Sequence, residues 1–273
     1  MTELLPRVMG EEGIEAVAAL PYAACRVLRP YLVERLAPFT PQTAILFLVP
    51  YFAGRAKNLS CYASALDYHV YMKGLFDRVC PKLETASGYR FVGFADHSPI
   101  DERHAATAAG LGLLGNNGLL IHPRYGSFVF IGELLTDAPP DAVGASEPRQ
   151  AQRCCGCGAC TRACPTGCLG GSGVECLSAI TQKKGELTLQ EQALVRAGGS
   201  VWGCDCCQLA CPHNAAAMRE ENYTPIAYFR EKRISRLTAS VLSAMSDEEF
   251  CARAFSFRGR GPLLRNLSIM EHT

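Results

Sequence analysis

The spacing of the cysteines between residues 154 and 211 constrains this chain more than any other feature. Fifteen cysteines occur in 273 residues, and eleven of them fall within this segment. Bacterial ferredoxin-type segments bind iron–sulfur clusters with the spacing C-x2-C-x2-C-x3-C-P, in which three thiolates of a tight loop face one cluster and the fourth faces a second. Four cysteines and a following proline have this spacing: Cys154, Cys157, Cys160, Cys164 and Pro165.

A second half of the pattern lies further along the chain. Residues 204–212 repeat its ending, C-x2-C-x3-C-P, but lack the first cysteine, which Cys176 can supply. The sequence therefore predicts eight thiolate ligands for two [4Fe–4S] clusters. In the crossed arrangement of two-cluster ferredoxins, one cluster is held by Cys154, Cys157, Cys160 and Cys211, and the other by Cys164, Cys176, Cys204 and Cys207.

Cys155, Cys168 and Cys206 fall outside this pattern. We interpret them as thiols that bind no cluster, although an alternative register remains open. A zinc site is the weaker alternative, because paired C-x2-C elements also bind zinc but two C-x3-C-P endings favour clusters. A disulfide framework is also disfavoured, because thiols stay reduced in a chain that is not exported.

The composition is that of an ordinary folded protein, with 48% hydrophobic and 19% charged residues. A net charge of +1 argues against a broad basic surface for nucleic acid, but leaves a local basic patch open. The longest apolar runs are far shorter than the ~20 residues that span a bilayer. The first thirty residues lack the basic start and apolar block of a secretory signal. We therefore predict no membrane association and a cytoplasmic location.

Alternating helical and strand patterns in the first 140 residues predict an α+β fold. Helices are predicted over residues 13–36, with an interruption at Pro21, over 62–79, ending before Pro81, and over 103–114. Strands are predicted over residues 44–49, 89–95 and 126–132.

A stretch rich in proline, glycine and alanine at residues 137–148 has no periodicity and predicts a linker. We expect three segments: residues 1–145, which precede the cysteines, residues 146–220, which hold the clusters, and a basic helical segment over residues 221–273. A protein that only carries electrons does not need the first segment, so we expect that segment to bind a substrate or an electron acceptor.

Several motifs resemble, in order, those of the epoxyqueuosine reductase family, cobalamin and iron–sulfur reductases related to reductive dehalogenases. They lie at residues 60–69, 95–103, 110–117 and 125–133 before the cysteines, and at 176–181 and 202–214 among them. The resemblance implies a nitroreductase-like α/β domain that binds cobalamin, followed by a ferredoxin-like domain with two clusters and by C-terminal helices. It is closest to a short form, because typical members continue into a helical-repeat domain that helps to hold tRNA.

The implied activity is reduction of epoxyqueuosine to queuosine in tRNA, with electrons from a low-potential donor such as ferredoxin or flavodoxin. Asp96 falls on the proton-donor position of the family and Arg103 on a charged active-site position. A buried carboxylic acid with a raised pKa can protonate the oxygen of an opened epoxide. Without the resemblance, Asp96 would be interpreted as a helix N-cap.

The resemblance also implies a set of cobalamin contacts: Tyr62, Asp67, Tyr68, His69, Asn117, Ser127, Ser178 and Asp205. The chain departs from the family at Cys61, at Asn116 and at His97-Ser98, where family members often have a basic residue, a lysine and a Thr-Gly or Ser-Gly pair. Two other functions remain open. One is a cobalamin and iron–sulfur reductase of another small substrate, and the other is an iron–sulfur electron-transfer protein.

Overall fold

The computed structural model describes residues 1–271. The helices are α1 (Leu4–Glu11), α2 (Pro30–Glu34), α3 (Tyr68–Ser87), α4 (Glu102–Ala108), α5 (Pro140–Val143), α6 (Ala159–Arg162), α7 (Leu177–Thr181), α8 (Leu189–Gly198), α9 (Cys206–Leu209), α10 (Ala227–Arg230), α11 (Ala239–Ala244), α12 (Asp247–Cys251) and α13 (Gly261–Glu271). The strands are β1 (Val17–Pro21), β2 (Thr43–Pro50), β3 (Phe91–Ala95), β4 (Leu113–Leu114), β5 (Leu120–Ile121) and β6 (Val129–Thr136).

The chain forms two compact units. The first contains residues 1–50 and 69–156, and its centre is an antiparallel sheet with the strand order β1-β2-β6-β3. Every residue of β2 is buried, so both faces of the sheet are covered. Phe47 of β2 pairs with Gly132 of β6, where a Cβ atom would lie 2.2 Å from the Phe47 ring. Because Gly132 has no side chain, the Phe47 ring can pack directly against the backbone of β6.

Helices cover the two faces of this sheet. On one face Phe47 meets Phe76 of α3, with ring centroids 6.3 Å apart. On the other face Leu46 and Leu48 pack in one core with Ala105 and Ala106 of α4. Alternation along β6 places Glu133 on the same face as Ile131 and Leu135, which belong to that core. A carboxyl group thus lies on an apolar face of the sheet.

The second unit contains residues 51–68 and the described residues from Cys157 onward. Its elements are short, and its main core surrounds Trp202 and Phe255, both fully buried. The segment before α3 joins this core through a bridge between Leu59 and Trp202. A smaller core joins α7, α8 and α13. Among the described helices, none is both long and apolar enough to cross a lipid bilayer.

The α+β prediction is confirmed, and the three predicted strands are present with shifted ends. The helix predicted over residues 13–36 is wrong, because this stretch holds β1, a 3-10 turn and the short α2. The prediction that a helix ends before Pro81 is also wrong. Helix α3 continues through Pro81 to Ser87, because a buried apolar stripe of Met72, Leu75, Val79 and Leu83 extends past the proline.

The compact units do not coincide with the three predicted segments. Residues 51–68 pack with the cysteine-rich part of the chain, and the first unit continues to Gly156. The basic helices after residue 221 share the Trp202 core rather than forming a segment of their own. A sequence pattern marks linkers along the chain, but it does not show which distant stretches share a core.

Candidate active site and cluster ligands

The loop between β3 and α4 carries the predicted proton donor. Asp96 directly follows β3 and has a left-handed backbone (φ 60°), which is uncommon for a residue other than glycine. Its Oδ2 atom lies 3.2 Å from Nε2 of His69, near the start of α3. The side chains of Asp96 and His69 are 51% and 54% exposed, so the expectation of a buried acid at position 96 is wrong. The pair instead faces outward, where a substrate can reach it.

Asp96 is not the cap of α4. The N-cap is Asp101, whose Oδ1 accepts the backbone N–H of His104 at 3.2 Å. Arg103, in the first turn of α4, donates from Nη1 to the carbonyl oxygen of Gly118 at 2.9 Å. This contact leaves the Arg103 side chain exposed and ties α4 to the turn after Asn117. Asp101, not Asp96, therefore caps α4, so helix capping does not explain the aspartate at position 96.

The next residues of the loop are anchored at several points. His97 Nε2 lies 3.1 Å from the hydroxyl of Tyr31, and Arg29 Nη1 donates to the carbonyl oxygen of Ser98 at 2.9 Å. The Ser98 hydroxyl donates to Oε2 of the buried Glu133 at 2.5 Å. It also accepts the backbone N–H of Ile100 at 3.0 Å. Ser98, which departs from the family, thus connects the Asp96 loop to the sheet.

Two acids behind Asp96 have raised pKa values. Burial, together with the charge of Asp96, raises the pKa of Glu102 to about 7, although Arg103 opposes the shift. Burial raises the pKa of Glu133 to about 8 against the hydrogen bond from Ser98. Glu133 is 1% exposed, and its Oε1 atom has no hydrogen-bond partner. Sequence reasoning missed both acids, although a glutamate between Ile131 and Leu135 in a strand pattern was a usable signal.

The burial of Glu133 predicts that the folding stability of the chain depends on pH. Because its pKa is raised in the folded chain, its destabilising effect is absent below about pH 4.5 and grows as pH rises through about 8. We expect Glu133→Gln to gain up to about 4 kcal/mol over the unmodified chain between pH 5 and pH 8. Urea unfolding across this range measures the difference, with the exposed Glu15→Gln as the control. A constant difference across this pH range would contradict the prediction.

The predicted cobalamin contacts fall in both units. In the first unit, Asn117 Oδ1 accepts the backbone N–H of Leu119 at 3.4 Å, and Ser127 is buried beside β6. In the second unit, the Tyr62 and Tyr68 rings meet edge to face with centroids 6.4 Å apart. Trp202 Nε1 donates to the Tyr62 hydroxyl at 3.1 Å. The Tyr62 ring is thus held by Trp202 and by its contact with Tyr68.

Asp67 and Asp205 are held differently within the second unit. The main chain of Asp67 bonds to the carbonyl oxygen of Ala252 and to the Tyr228 hydroxyl. The Asp205 carboxyl is buried and accepts the backbone N–H of Cys61 at 2.5 Å. Burial raises the pKa of Asp205 against this hydrogen bond and the one from the Cys61 thiol. Asp205 therefore braces the segment before α3.

Ser178 lies beside an open cavity of about 580 Å³ in the second unit. Its hydroxyl accepts Nε2 of Gln182 at 3.1 Å. Carboxyl, thiol, hydroxyl, amide, ammonium and guanidinium groups line the cavity, contributed by Glu175, Cys176, Ser178, Gln182, Lys183, Lys184 and Arg258, and Glu175 pairs with Lys183. The lining offers hydrogen-bond donors to a polar ligand next to a predicted cluster ligand.

Three of the four thiols predicted to bind the first cluster belong to the second unit. Burial raises the pKa of Cys211, and the neighbouring Cys157 and Cys160 thiols add to this effect. These three cysteines are therefore close to one another, as the crossed arrangement requires. Cys154 belongs to the first unit, where its backbone N–H donates to the carbonyl oxygen of Leu114 at 3.1 Å.

The second group contains both predicted ligands and extra thiols. Cys164 Sγ lies 3.5 Å from Cys168 Sγ. Burial is the main cause of the raised pKa values of Cys168 and Cys204, and the neighbouring Cys176 thiol contributes to both. Burial opposes ionisation of Cys164, but hydrogen bonds from Leu169, Thr166 and Cys168 outweigh it and lower the pKa to about 7.

The remaining cysteines of the segment are placed as follows. Cys207 lies on α9 next to Cys206. Cys206 forms hydrogen bonds with the thiol of Cys204. Cys155 is exposed. Within residues 1–271, no group of three or more His, Cys, Asp or Glu side chains has the arrangement of a single metal-ion site.

Residues 153–214 match a family model described as a 4Fe-4S double cluster binding domain. The epoxyqueuosine reductase of Gloeobacter violaceus is 35% identical over 206 residues, which cover 72% of this chain and 62% of that protein. That of Aliivibrio fischeri is 35% identical over 243 residues, which cover 81% of this chain and 62% of that protein. Over most of its length the chain is therefore similar to epoxyqueuosine reductases. It spans less than two thirds of the length of these relatives.

A solved structure has the same fold as this chain. It is a crystal structure of an epoxyqueuosine reductase with an epoxyqueuosine-modified stem loop of tyrosine tRNA, with a TM-score of 0.76 and 22% identity. The match covers 98% of this chain and 80% of the other. The fold of the family therefore extends over nearly the whole chain, including the basic helices after the cysteines.

Proposed function

We propose that this chain reduces epoxyqueuosine to queuosine in tRNA, with cobalamin and two [4Fe–4S] clusters as cofactors. The observation that carries the proposal is the combination of a double-cluster domain with a unit that presents Asp96 on an exposed loop. An electron carrier has no need of a carboxylic acid held in a left-handed conformation beside a histidine. Relatives that are 35% identical to this chain over the aligned residues are named for this reaction.

The residues present fit both cofactors. Iron–sulfur clusters require thiolates. The neighbouring thiols of Cys157, Cys160 and Cys211, and the Cys164 thiol beside Cys168, support the proposed clusters. The donors around the Ser178 cavity suit the amide-rich rim of a corrinoid, and the fixed rings of Tyr62 and Tyr68 suit an apolar contact. Cobalamin, when bound, would supply low-valent cobalt as the reductant.

In this proposal Asp96 donates the proton that an epoxide oxygen must gain before it leaves. Its contact with His69 Nε2 orients the half-exposed carboxyl. Arg103 lies in the first turn of α4 with an exposed side chain, which can contact an anionic or strongly polar substrate group. General acid catalysis of this kind contributes roughly 10²–10⁴-fold to a rate.

The partners of this reaction are proposed on chemical grounds. The substrate is tRNA that carries epoxyqueuosine, and the arginines of the last helical segment can contact phosphate groups. A low-potential one-electron donor such as ferredoxin or flavodoxin supplies electrons to the clusters. Because tRNA is modified in the cytoplasm and cysteines stay reduced there, we place the protein in that compartment.

The test is anaerobic purification with reconstituted clusters and added cobalamin, followed by reaction with tRNA that contains epoxyqueuosine. Mass analysis of the digested nucleosides is expected to show conversion to queuosine that depends on reductant and on cobalamin. Cobalamin binding without queuosine would contradict the proposed substrate. Failure to bind cobalamin would contradict the proposed cofactor and leave a protein that transfers electrons.

A further inference from the structure

A buried serine lies beside the second cluster site, which is predicted to contain Cys164, Cys176, Cys204 and Cys207. Ser60 is 2% exposed, and its Oγ atom has no hydrogen-bond partner within residues 1–271. A buried hydroxyl group costs free energy unless it forms a hydrogen bond. The Ser60 hydroxyl is therefore suited to donate to a group that binds in this part of the protein.

The main chain holds Ser60 next to Cys204. The backbone N–H of Ser60 donates to the carbonyl oxygen of Trp202 at 2.8 Å, two residues before Cys204. Gly203 lies directly against the serine side chain, because a Cβ atom at position 203 would clash with Ser60 Oγ. Ser60 and Cys204 also line one cavity of about 110 Å³ in the second unit. The hydroxyl group is thus fixed beside the residue that precedes a predicted cluster ligand.

Other polar groups of this cavity have partners of their own. The Asp205 carboxylate accepts the backbone N–H of Cys61 at 2.5 Å. The Ser200 hydroxyl donates to the carbonyl oxygen of Gly203 at 2.7 Å. Neither side chain accepts the Ser60 hydroxyl. A cluster bound at this site would bring inorganic sulfide, which accepts hydrogen bonds, to the neighbourhood of Ser60.

We propose that the Ser60 hydroxyl donates a hydrogen bond to a sulfide of the second [4Fe–4S] cluster and makes this cluster easier to reduce. Reduction adds one electron from the low-potential donor, and the hydroxyl dipole stabilises the added negative charge. The proton stays on Ser60, so no covalent bond breaks. Hydrogen bonds to the sulfur atoms are one of the factors that set the reduction potential of such clusters. The inference rests on the clusters of the proposed function, but not on its substrate.

The variant Ser60→Ala tests this hydrogen bond in the reconstituted full chain. It removes a hydroxyl group that holds no other part of the protein, so we expect about eight iron atoms per chain, as for two intact clusters. In a redox titration followed by electron paramagnetic resonance, the equilibrium constant for reduction of one cluster is expected to fall about tenfold, or about 59 mV to lower potential. The other cluster should keep its potential and serves as an internal reference.

Ser200→Ala is the matched control. It removes a buried hydroxyl group from the same cavity, but this group donates to a main-chain carbonyl oxygen. We therefore expect both cluster potentials to match those of the unmodified chain. Unchanged potentials in Ser60→Ala would overturn the proposal and leave its hydroxyl to a water molecule in the cavity. Equal shifts in both variants would also overturn it, because they would show a general effect of the cavity.

Exchange into deuterated water identifies the donor. The hydroxyl proton exchanges with solvent, so pulsed electron paramagnetic resonance of the reduced cluster is expected to detect its deuteron close to the cluster. We expect one strongly coupled deuteron fewer in Ser60→Ala, and no change in Ser200→Ala. An unchanged deuteron signal in Ser60→Ala would overturn the proposal.

These measurements need no tRNA, so they separate this inference from the proposed function. If the unmodified chain contains about eight iron atoms but makes no queuosine, the proposed substrate fails and the role of Ser60 is still tested. If queuosine forms and Ser60→Ala leaves both potentials unchanged, only the present inference is overturned. If the reconstituted chain binds only one cluster, iron analysis overturns the two-cluster proposal and this inference with it.

Discussion

Asp96→Asn is expected to lower the rate of queuosine formation by about 10²–10⁴-fold, the usual contribution of a general acid. Asparagine has the shape of aspartate and can still contact His69, but it has no acidic proton for the epoxide oxygen. The half-exposed position of Asp96 predicts little change in folding stability. Iron content and cobalamin absorbance are therefore expected to match those of the unmodified chain, and nucleoside mass analysis measures the rate.

The matched control is Asp101→Asn, five residues further along the same loop. Asp101 caps α4 through the backbone N–H of His104, and asparagine caps helices as well as aspartate does. This variant makes the same chemical change close to the site, so we expect it to keep most of the activity. Normal turnover by Asp96→Asn would show that another group protonates the oxygen, and equal losses in both variants would indicate a general disturbance of the loop.

Local patterns carried most of the correct sequence predictions. The cysteine spacing is local, because a short loop can present several thiolates to one cluster. The spacing from Cys154 to Cys211 predicts a double-cluster segment, and the family model matches residues 153–214, which contain it. The buried strand at residues 44–49 was also predictable, because a short apolar run between two prolines has few alternatives.

Features that depend on distant contacts could not be predicted in this way. Helix α3 passes Pro81 because Leu83 is buried on the stripe that covers the sheet, a contact absent from the local pattern. The sequence also suggested that the acid with a raised pKa is Asp96. In the structure Asp96 is half exposed, whereas Glu102 and Glu133 are desolvated by strands and helices from elsewhere in the chain.

Cys164→Ala is expected to remove one cluster and nearly all activity. In the crossed arrangement Cys164 is a ligand of the second cluster, so iron is expected to fall from about eight to about four atoms per chain. The loss interrupts the path of electrons from the donor, and queuosine formation should stop even with cobalamin bound. Iron and sulfide analysis with electron paramagnetic resonance of the reduced protein measures the cluster, and nucleoside analysis measures the activity.

The decisive control is Cys168→Ala, because the Cys168 thiol lies 3.5 Å from that of Cys164 and is the neighbouring candidate for the same coordination position. The C-x3-C-P spacing assigns the ligand to Cys164, so Cys168→Ala should keep about eight iron atoms and its activity. The reverse result, with full iron in Cys164→Ala and half in Cys168→Ala, would establish the alternative register. Loss of one cluster in both variants would mean that Cys168 is needed to hold Cys164 in place, since the hydrogen bond between their thiols helps to lower the pKa of Cys164.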